Sequence, residues 1–239
     1  MQKGVLKIIP DADVEGLRFP EKHMQKYCEK DGNWISFGEY SIQGQRTDIQ
    51  LLVDDIKEGC SRRQLIEAHP DLNVRYGHNV ERIFGIMESK PAKSQYTLES
   101  CCRHVGLEKL VWFENGEERQ HVVYGATNLG KTEYALSHFD KPFLVNDVDN
   151  LKYFDKNEFD GIVFDDCPPF FETDRVKSRE SQIALADSSQ DRAIPCRYFN
   201  ATIPKWTKKV FITNQENGRI FLDDAAINRR LSFHKVLSQ

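Results

Sequence analysis

GATNLGKTEYALSHF, residues 125–139, is the stretch on which the reading of this chain turns. Gly125 and Gly130 stand five apart, and Lys131 and Thr132 follow at once. The spacing is G-x-x-x-x-G-K-[ST], and it carries a mechanism. Glycines allow the tight backbone angles that bring amide groups close to a phosphate. The amides from Gly125 through Ala126, Thr127, Asn128, Leu129 and Gly130 would cradle the phosphates, with the start of the following helix behind them. Lys131 would reach the β- and γ-phosphates, and the Thr132 hydroxyl would ligate a metal ion. ATP and Mg²⁺ are therefore the expected ligands. The flanks suit the motif. HVVYG (121–125) reads as a short buried strand, and KTEYALSHF (131–139) as a helix with Tyr134, Ala135, Leu136 and Phe139 on its apolar surface.

The whole chain sets bounds on this. Its 239 residues hold one large domain or two small ones. With 29% charged and 39% hydrophobic residues, and no apolar run long enough to span a bilayer, the expectation is a soluble globular protein without a membrane partner. Six cysteines, none in a C-x-x-C pair, disfavour zinc and read as reduced thiols of an intracellular protein. A net charge of −4 argues against a surface coated for duplex DNA. A local basic strip remains: Arg192, Arg197, Lys205, Lys208 and Lys209 lie within 192–209, a stretch with no acidic residue.

Upstream, PEKHMQKYCEK (20–30) reads as a helix with Pro20 first and Gly32 beyond its end. TDIQLLVDDIKE (47–58) opens with a capping-box spacing, Thr47 and Gln50, and stops at Gly59; a second box, Ser61 and Gln64, starts SRRQLIEAH. A third helical stretch lies near 74–90. Residues 41–90 thus form a helical module suited to packing or self-association, followed by an irregular stretch containing Trp112. From about residue 119 the pattern changes to short apolar runs, HVVYG, PFLVND, GIVFDD, RYFNATI and KVFITN, expected as strands of an α/β sheet with parallel members.

Two of those runs end in chemistry. GIVFDD presents Asp165 and Asp166; one carboxylate can orient hydrated Mg²⁺ and its neighbour can polarise a water. KVFITN ends in Asn214, a neutral amide that can hold that water without competing for the metal. Fifteen residues on come Arg229 and Arg230, either of which could serve a neighbouring subunit's γ-phosphate. No segment is left over for the lid and substrate pocket of a small-molecule kinase.

This set resembles the superfamily 3 helicase domain of the replication-associated (Rep) proteins of small circular single-stranded DNA viruses, the circovirus and geminivirus type. GATNLGKT is similar to their phosphate loop, GIVFDD to their carboxylate motif, RYFNATIPKWTKKVFITN to their DNA-facing hairpin and sensor asparagine, and AINRRL to their arginine element. YCEKDGNW and the segment after it resemble the last endonuclease motif and its linker. The resemblance implies an AAA+-like P-loop ATPase at 119–239, an oligomerisation module and linker at 41–118, and a remnant of an α+β endonuclease at 1–40. It implies a hexameric ring gripping single-stranded DNA, with Arg197 and Lys205 on or beside the pore hairpin, and the nucleus of a host cell if the chain is viral. Lys208 and Lys209, just before a strand, are expected to be solvated. Tyr27 and Lys30 stand where the family's nicking Y-x-x-K stands. The family's upstream His-hydrophobic-His metal ligands have no counterpart, so nicking is expected to be lost. The expectation is an ATP-dependent single-stranded DNA helicase of rolling-circle replication. Its alternatives are a non-enzymatic oligomerising remnant of such a protein and an unrelated P-loop ATPase.

Overall fold

The structure, a computed structural model, describes residues 47–114 and 117–237. Tyr27, Lys30 and the helix expected at 20–30 lie outside the described residues. The chain packs as two units, divided between Arg75 and Tyr76.

The first unit carries α1 (Thr47–Lys57) and α2 (Arg62–Ala68), and α3 (Pro70–Glu88) begins in it. The capping box expected at Ser61 is present: its side chain accepts from the Gln64 amide, and the Gln64 side chain accepts from the Ser61 amide at 2.8 Å. Pro70 opens α3, where its missing N–H has no helical partner to lose. The third helix therefore starts four residues earlier than its apolar periodicity suggests. Leu52, Ile56, Leu65 and Leu72 are buried, and His69 Nε2 lies 2.7 Å from Asp55 Oδ2.

The second unit is built on a five-stranded sheet of β3 (Gln120–Tyr124), β4 (Pro142–Val145), β5 (Gly161–Phe164), β8 (Lys208–Thr213) and β9 (Leu231–Lys235). Its order is β4-β5-β8-β3-β9, and every pair is parallel. The fold is α/β, consistent with a Rossmann-like or P-loop-like arrangement. Both faces are covered, as a parallel sheet requires, and alternate residues along a strand feed opposite layers. Val122, Ile162, Phe164 and Phe211 pack with α6 (Arg179–Ala186) and α7 (Ala225–Asn228). Val123, Val163, Val210 and Ile212 pack with α4 (Leu98–Val105), Trp112 and α5 (Lys131–Leu136). Two small antiparallel pairs complete the described strands: β1 (Phe113–Glu114) with β2 (Glu117–Glu118), and β6 (Arg192–Pro195) with β7 (Asn200–Ile203).

Two sequence expectations change here. The stretch read as irregular contains α4, capped by the Thr97 side chain and closed by Gly106 in the left-handed conformation. RYFNATI is a strand only in its second half, because 196–199 form the turn of the β6–β7 hairpin.

Sheet topology fixes where a site can form. From β3 the chain crosses β8 and β5 to reach β4; from β8 it crosses β3 to reach β9. The connections leaving these two neighbours run in opposite directions and place their helices on opposite faces of the sheet, which opens a crevice at their carboxyl ends.

Candidate active site

Three loops meet at that crevice. Gly125 follows β3, Asp165 follows β5 and Asn214 follows β8. In the first loop Gly125 has φ 147°, and a Cβ there would come within 2.5 Å of the Val236 carbonyl oxygen, which only glycine avoids. Gly130 has φ 77° and caps α5 from the left-handed region. Asn128, also left-handed at φ 61°, is a residue type that tolerates it.

Lys131 is buried, with 5% of its surface exposed. Its ammonium donates to the carbonyls of Gly125 (3.0 Å) and Ala126 (2.5 Å) and to Asn214 Oδ1 (2.9 Å). These three contacts use all its donors. Burial lowers its pKa, while the charges of Asp165 and Asp166 act in the opposite direction. The Thr132 hydroxyl donates to Asp165 Oδ1 at 2.9 Å. Asn214 bridges the site: its oxygen accepts from Lys131 and its Nδ2 donates to Asp166 Oδ1 at 2.7 Å. Asp166 sits at φ 48° and its amide donates to Asp165 Oδ1 at 3.1 Å. The 165–167 turn is tied to β8 through the Cys167 amide on Ile212 O (2.7 Å) and the Thr213 hydroxyl on Cys167 O (3.0 Å). Lys131, Thr132, Asp165, Asp166 and Asn214, five residues drawn from three sequence motifs, thus form one hydrogen-bonded set. They line a cleft of about 460 Å³ together with Thr127, Asn128, Leu129, Gly130 and Glu133. A larger cleft, about 590 Å³ and lined partly by Tyr124, Arg219, Asp223 and Phe233, has no such convergence of lysine, hydroxyl and carboxylates.

The donor set suits a hard cation carried by phosphate. It offers one hydroxyl and two carboxylates, and among the described residues no three His, Cys, Asp or Glu side chains gather as a self-sufficient metal cage. Mg²⁺ binds in this sparse way, through one or two protein oxygens and the substrate's phosphates.

The arginines part company. Arg229 closes α7 with its side chain exposed. Arg230 points inward: its Nε donates to Asp187 Oδ1 at 2.9 Å, and Nη1 donates to the Ala226 carbonyl. An arginine held this way is not free to reach another subunit, so of the two expected positions Arg229 alone is presented to solvent.

The basic strip is also taken apart. Lys209 is 1% exposed, contrary to the expected solvated position, because β8 turns it into the layer beneath the sheet. There its ammonium donates to the carbonyls of Leu185 (2.8 Å) and Asp187 (2.6 Å) at the C-terminus of α6. Burial pushes its pKa down to about 7. Lys208 lies over the Trp112 ring at 5.6 Å, and Arg192 is ion-paired with Asp187 at 2.7 Å. Arg197 is exposed at the hairpin turn, beside Tyr198, whose ring it overlies at 5.1 Å. Lys205 is exposed beyond the far end of β7, a strand length of about 13 Å away.

Sequence reasoning missed Glu133 and Asp187. Glu133 accepts from the Ser94 hydroxyl (2.7 Å) and the Gln95 amide (2.9 Å), fastening the segment before α4 to the loop helix. Its signal was only its place one residue after the G-K-T run. Asp187 had none, being a helix-end aspartate among turn formers.

No family model matches the chain. Among curated proteins it is similar to the replication-associated protein of human associated cyclovirus 1, with 30% identity over 74 residues. The match takes in 30% of this chain and spans about a quarter (26%) of that relative. No helix of the described residues is long and apolar enough to cross a membrane. The comparison therefore shows a Rep-like relationship over part of the chain.

Proposed function

We propose that this chain hydrolyses ATP and uses the energy to move along single-stranded DNA, as a superfamily 3 helicase acting in replication of a small circular genome. The observation that carries this reading is the joining of Lys131, Thr132, Asp165, Asp166 and Asn214 at the ends of three adjacent parallel strands. The partial similarity to a viral replication-associated protein supports the setting.

In this reading the Lys131 ammonium exchanges its carbonyl contacts for β- and γ-phosphate oxygens, and the loop amides from Gly125 to Gly130 hold the remaining phosphate charge. Thr132 and Asp165 would hold Mg²⁺, which neutralises charge between the phosphates. Asp166 accepts a proton from, or orients, the attacking water. Asn214, already bonded to Asp166 and Lys131, fixes that water without adding charge. Arg229 serves the nucleotide of the next subunit in a homo-oligomer, expected as a hexamer. Arg197, at the hairpin turn, meets DNA phosphates.

The test is ATP turnover with and without oligo(dT), run beside a sizing measurement. Hydrolysis stimulated by single strands more than by duplex supports the reading. Turnover indifferent to DNA would leave an unrelated P-loop ATPase, and an assembled protein with no turnover would leave an oligomerising remnant.

A further inference from the structure

One carboxylate joins two regions that the proposed function keeps apart. Asp187 caps the C-terminus of α6 and is 4% exposed. On one oxygen it takes the guanidinium of Arg192, with Nε at 2.8 Å and Nη2 at 2.7 Å from Oδ2. On the other it takes Arg230 Nε at 2.9 Å. The Ser189 hydroxyl lies within 3.0 and 3.1 Å of the two oxygens. Two further bonds fix its backbone: the amide donates to Ile183 O at 2.9 Å, and the carbonyl accepts from Lys209.

Each arginine leads somewhere. Arg192 is the first residue of β6, and the four-residue strand runs from it to the turn that carries Arg197. Arg230 is joined by one peptide bond to Arg229. Its amide donates to Ile227 O at 2.9 Å, and its carbonyl accepts from Gln120 N at 2.8 Å, at the foot of the strand that leads to the phosphate loop. The hairpin is thus bonded to Asp187, and Asp187 to the residue next to Arg229. Buried charge-assisted bonds of this kind do not slip past one another, because a half-broken pair leaves an unpaired charge out of water.

We propose that Asp187 is a positioning residue that ties the β6–β7 hairpin to the Arg229 turn, so that single-stranded DNA held at the hairpin sets Arg229 for hydrolysis in the neighbouring subunit. This rests on the function proposed above and adds to it the route by which DNA controls turnover. Asp187 is buried and does not line the cleft that holds Lys131 and Asn214. Arg192 is the tie on the DNA side and is not a DNA contact, since its guanidinium is taken up by Asp187.

Cutting that tie tests the inference in the full chain. Arg192→Ala leaves Asp187 with Arg230 and Ser189. Its turnover without DNA, its KM for ATP and its affinity for oligo(dT) should stay within about twofold of wild type. The stimulation of kcat by saturating oligo(dT) should fall at least fivefold, the low end of the range over which coupled sites influence one another. Arg192→Lys keeps the charge without the fork and should show intermediate stimulation; it carries the test alone if the alanine variant does not fold. A purely structural Arg192 would lower basal and DNA-stimulated turnover by the same factor, and that result overturns the proposal. So does wild-type stimulation in either variant. A wild type that hydrolyses no ATP, or ignores oligo(dT), instead overturns the proposed function itself.

Discussion

Arg229→Ala and Arg230→Ala should separate turnover from stability, although the two residues are neighbours. Arg230 supports Asp187 in a site that is 4% exposed. Removing one member of a buried pair costs about 3–5 kcal/mol when the other is left alone; here Arg192 and Ser189 remain, so the loss should fall near or below the lower end. The ionisation of Asp187 gives a second measure. Burial pushes its pKa up, but the hydrogen bonds of Arg230, Arg192 and Ser189 outweigh it and hold it at about 2. Nearly two units below an ordinary aspartate is on the order of 2 kcal/mol shared among the three partners. Arg230→Ala removes only a share of that, and should therefore cost about 1 kcal/mol and lower Tm by about 2–4 °C. The sign with pH follows. A depressed carboxyl stabilises the fold above the unfolded pKa near 4 and loses that contribution as pH falls through 2, so the deficit should shrink over that window. Arg229→Ala, exposed, should stay within about 0.5 kcal/mol of wild type yet lose about 10³ in ATP turnover. Mixing it with Lys131→Ala subunits should restore part of the rate, because some interfaces then pair an intact loop with an intact arginine. Thermal unfolding and ATPase assays of both variants decide the matter. A wild-type Tm for Arg230→Ala, or full turnover by Arg229→Ala, would refute the division of labour.

Lys131→Ala should lower kcat/KM for ATP by about 10³, since one ammonium about 4 Å from a phosphate charge is worth about 4 kcal/mol at an effective dielectric of 20; steady-state turnover within threefold of wild type would contradict this. Arg197→Ala should reduce the slope of log affinity for oligo(dT) against log salt by about 0.7, the share of one phosphate contact, while Lys205→Ala, at the other end of the hairpin, should leave the slope unchanged. Lys209 titrates near pH 7 when folded, against about 10.4 when unfolded, so its burial disfavours the fold fully below pH 7 and progressively less as pH rises towards 10. Denaturant titrations of wild type and Lys209→Met across that range should diverge in slope, and parallel curves would show that the buried ammonium does not titrate there.

The three strands that end in the candidate site were legible because each lies inside the sheet and carries an unbroken apolar run: VVY, IVF and VFI. The edge strand β9 was not. Its LSFHK alternates, and of its five residues only Leu231 is buried, so it reads as the tail of an arginine motif. Helix α4 carried a readable signal in Thr97 and Gly106 that the surrounding irregular composition obscured. The basic strip shows the converse limit. Sequence proximity grouped Arg192, Arg197, Lys205 and Lys209, but a hairpin turn and the two-sided pleat send them to an ion pair, a tip, a far corner and the interior. Which of two adjacent arginines faces outward could not be read at all, because the deciding partner, Asp187, lies 43 residues away.

The strand order has a consequence for biosynthesis. β3, which leads into the Gly125–Gly130 loop, pairs on one side with residues 208–213 and on the other with 231–235. A ribosome that has released residues 120–140 has thus made a loop whose supporting strand still lacks both neighbours. Until β8 emerges, the newborn β3 is an apolar ribbon with two unpaired edges, and until β9 follows it keeps one, the kind of surface on which chains aggregate. Contacts so distant in sequence also form slowly. Slow translation near residues 140–207, which prolongs that exposure, should lower the yield of native protein, and a chaperone that shields extended apolar segments should recover it.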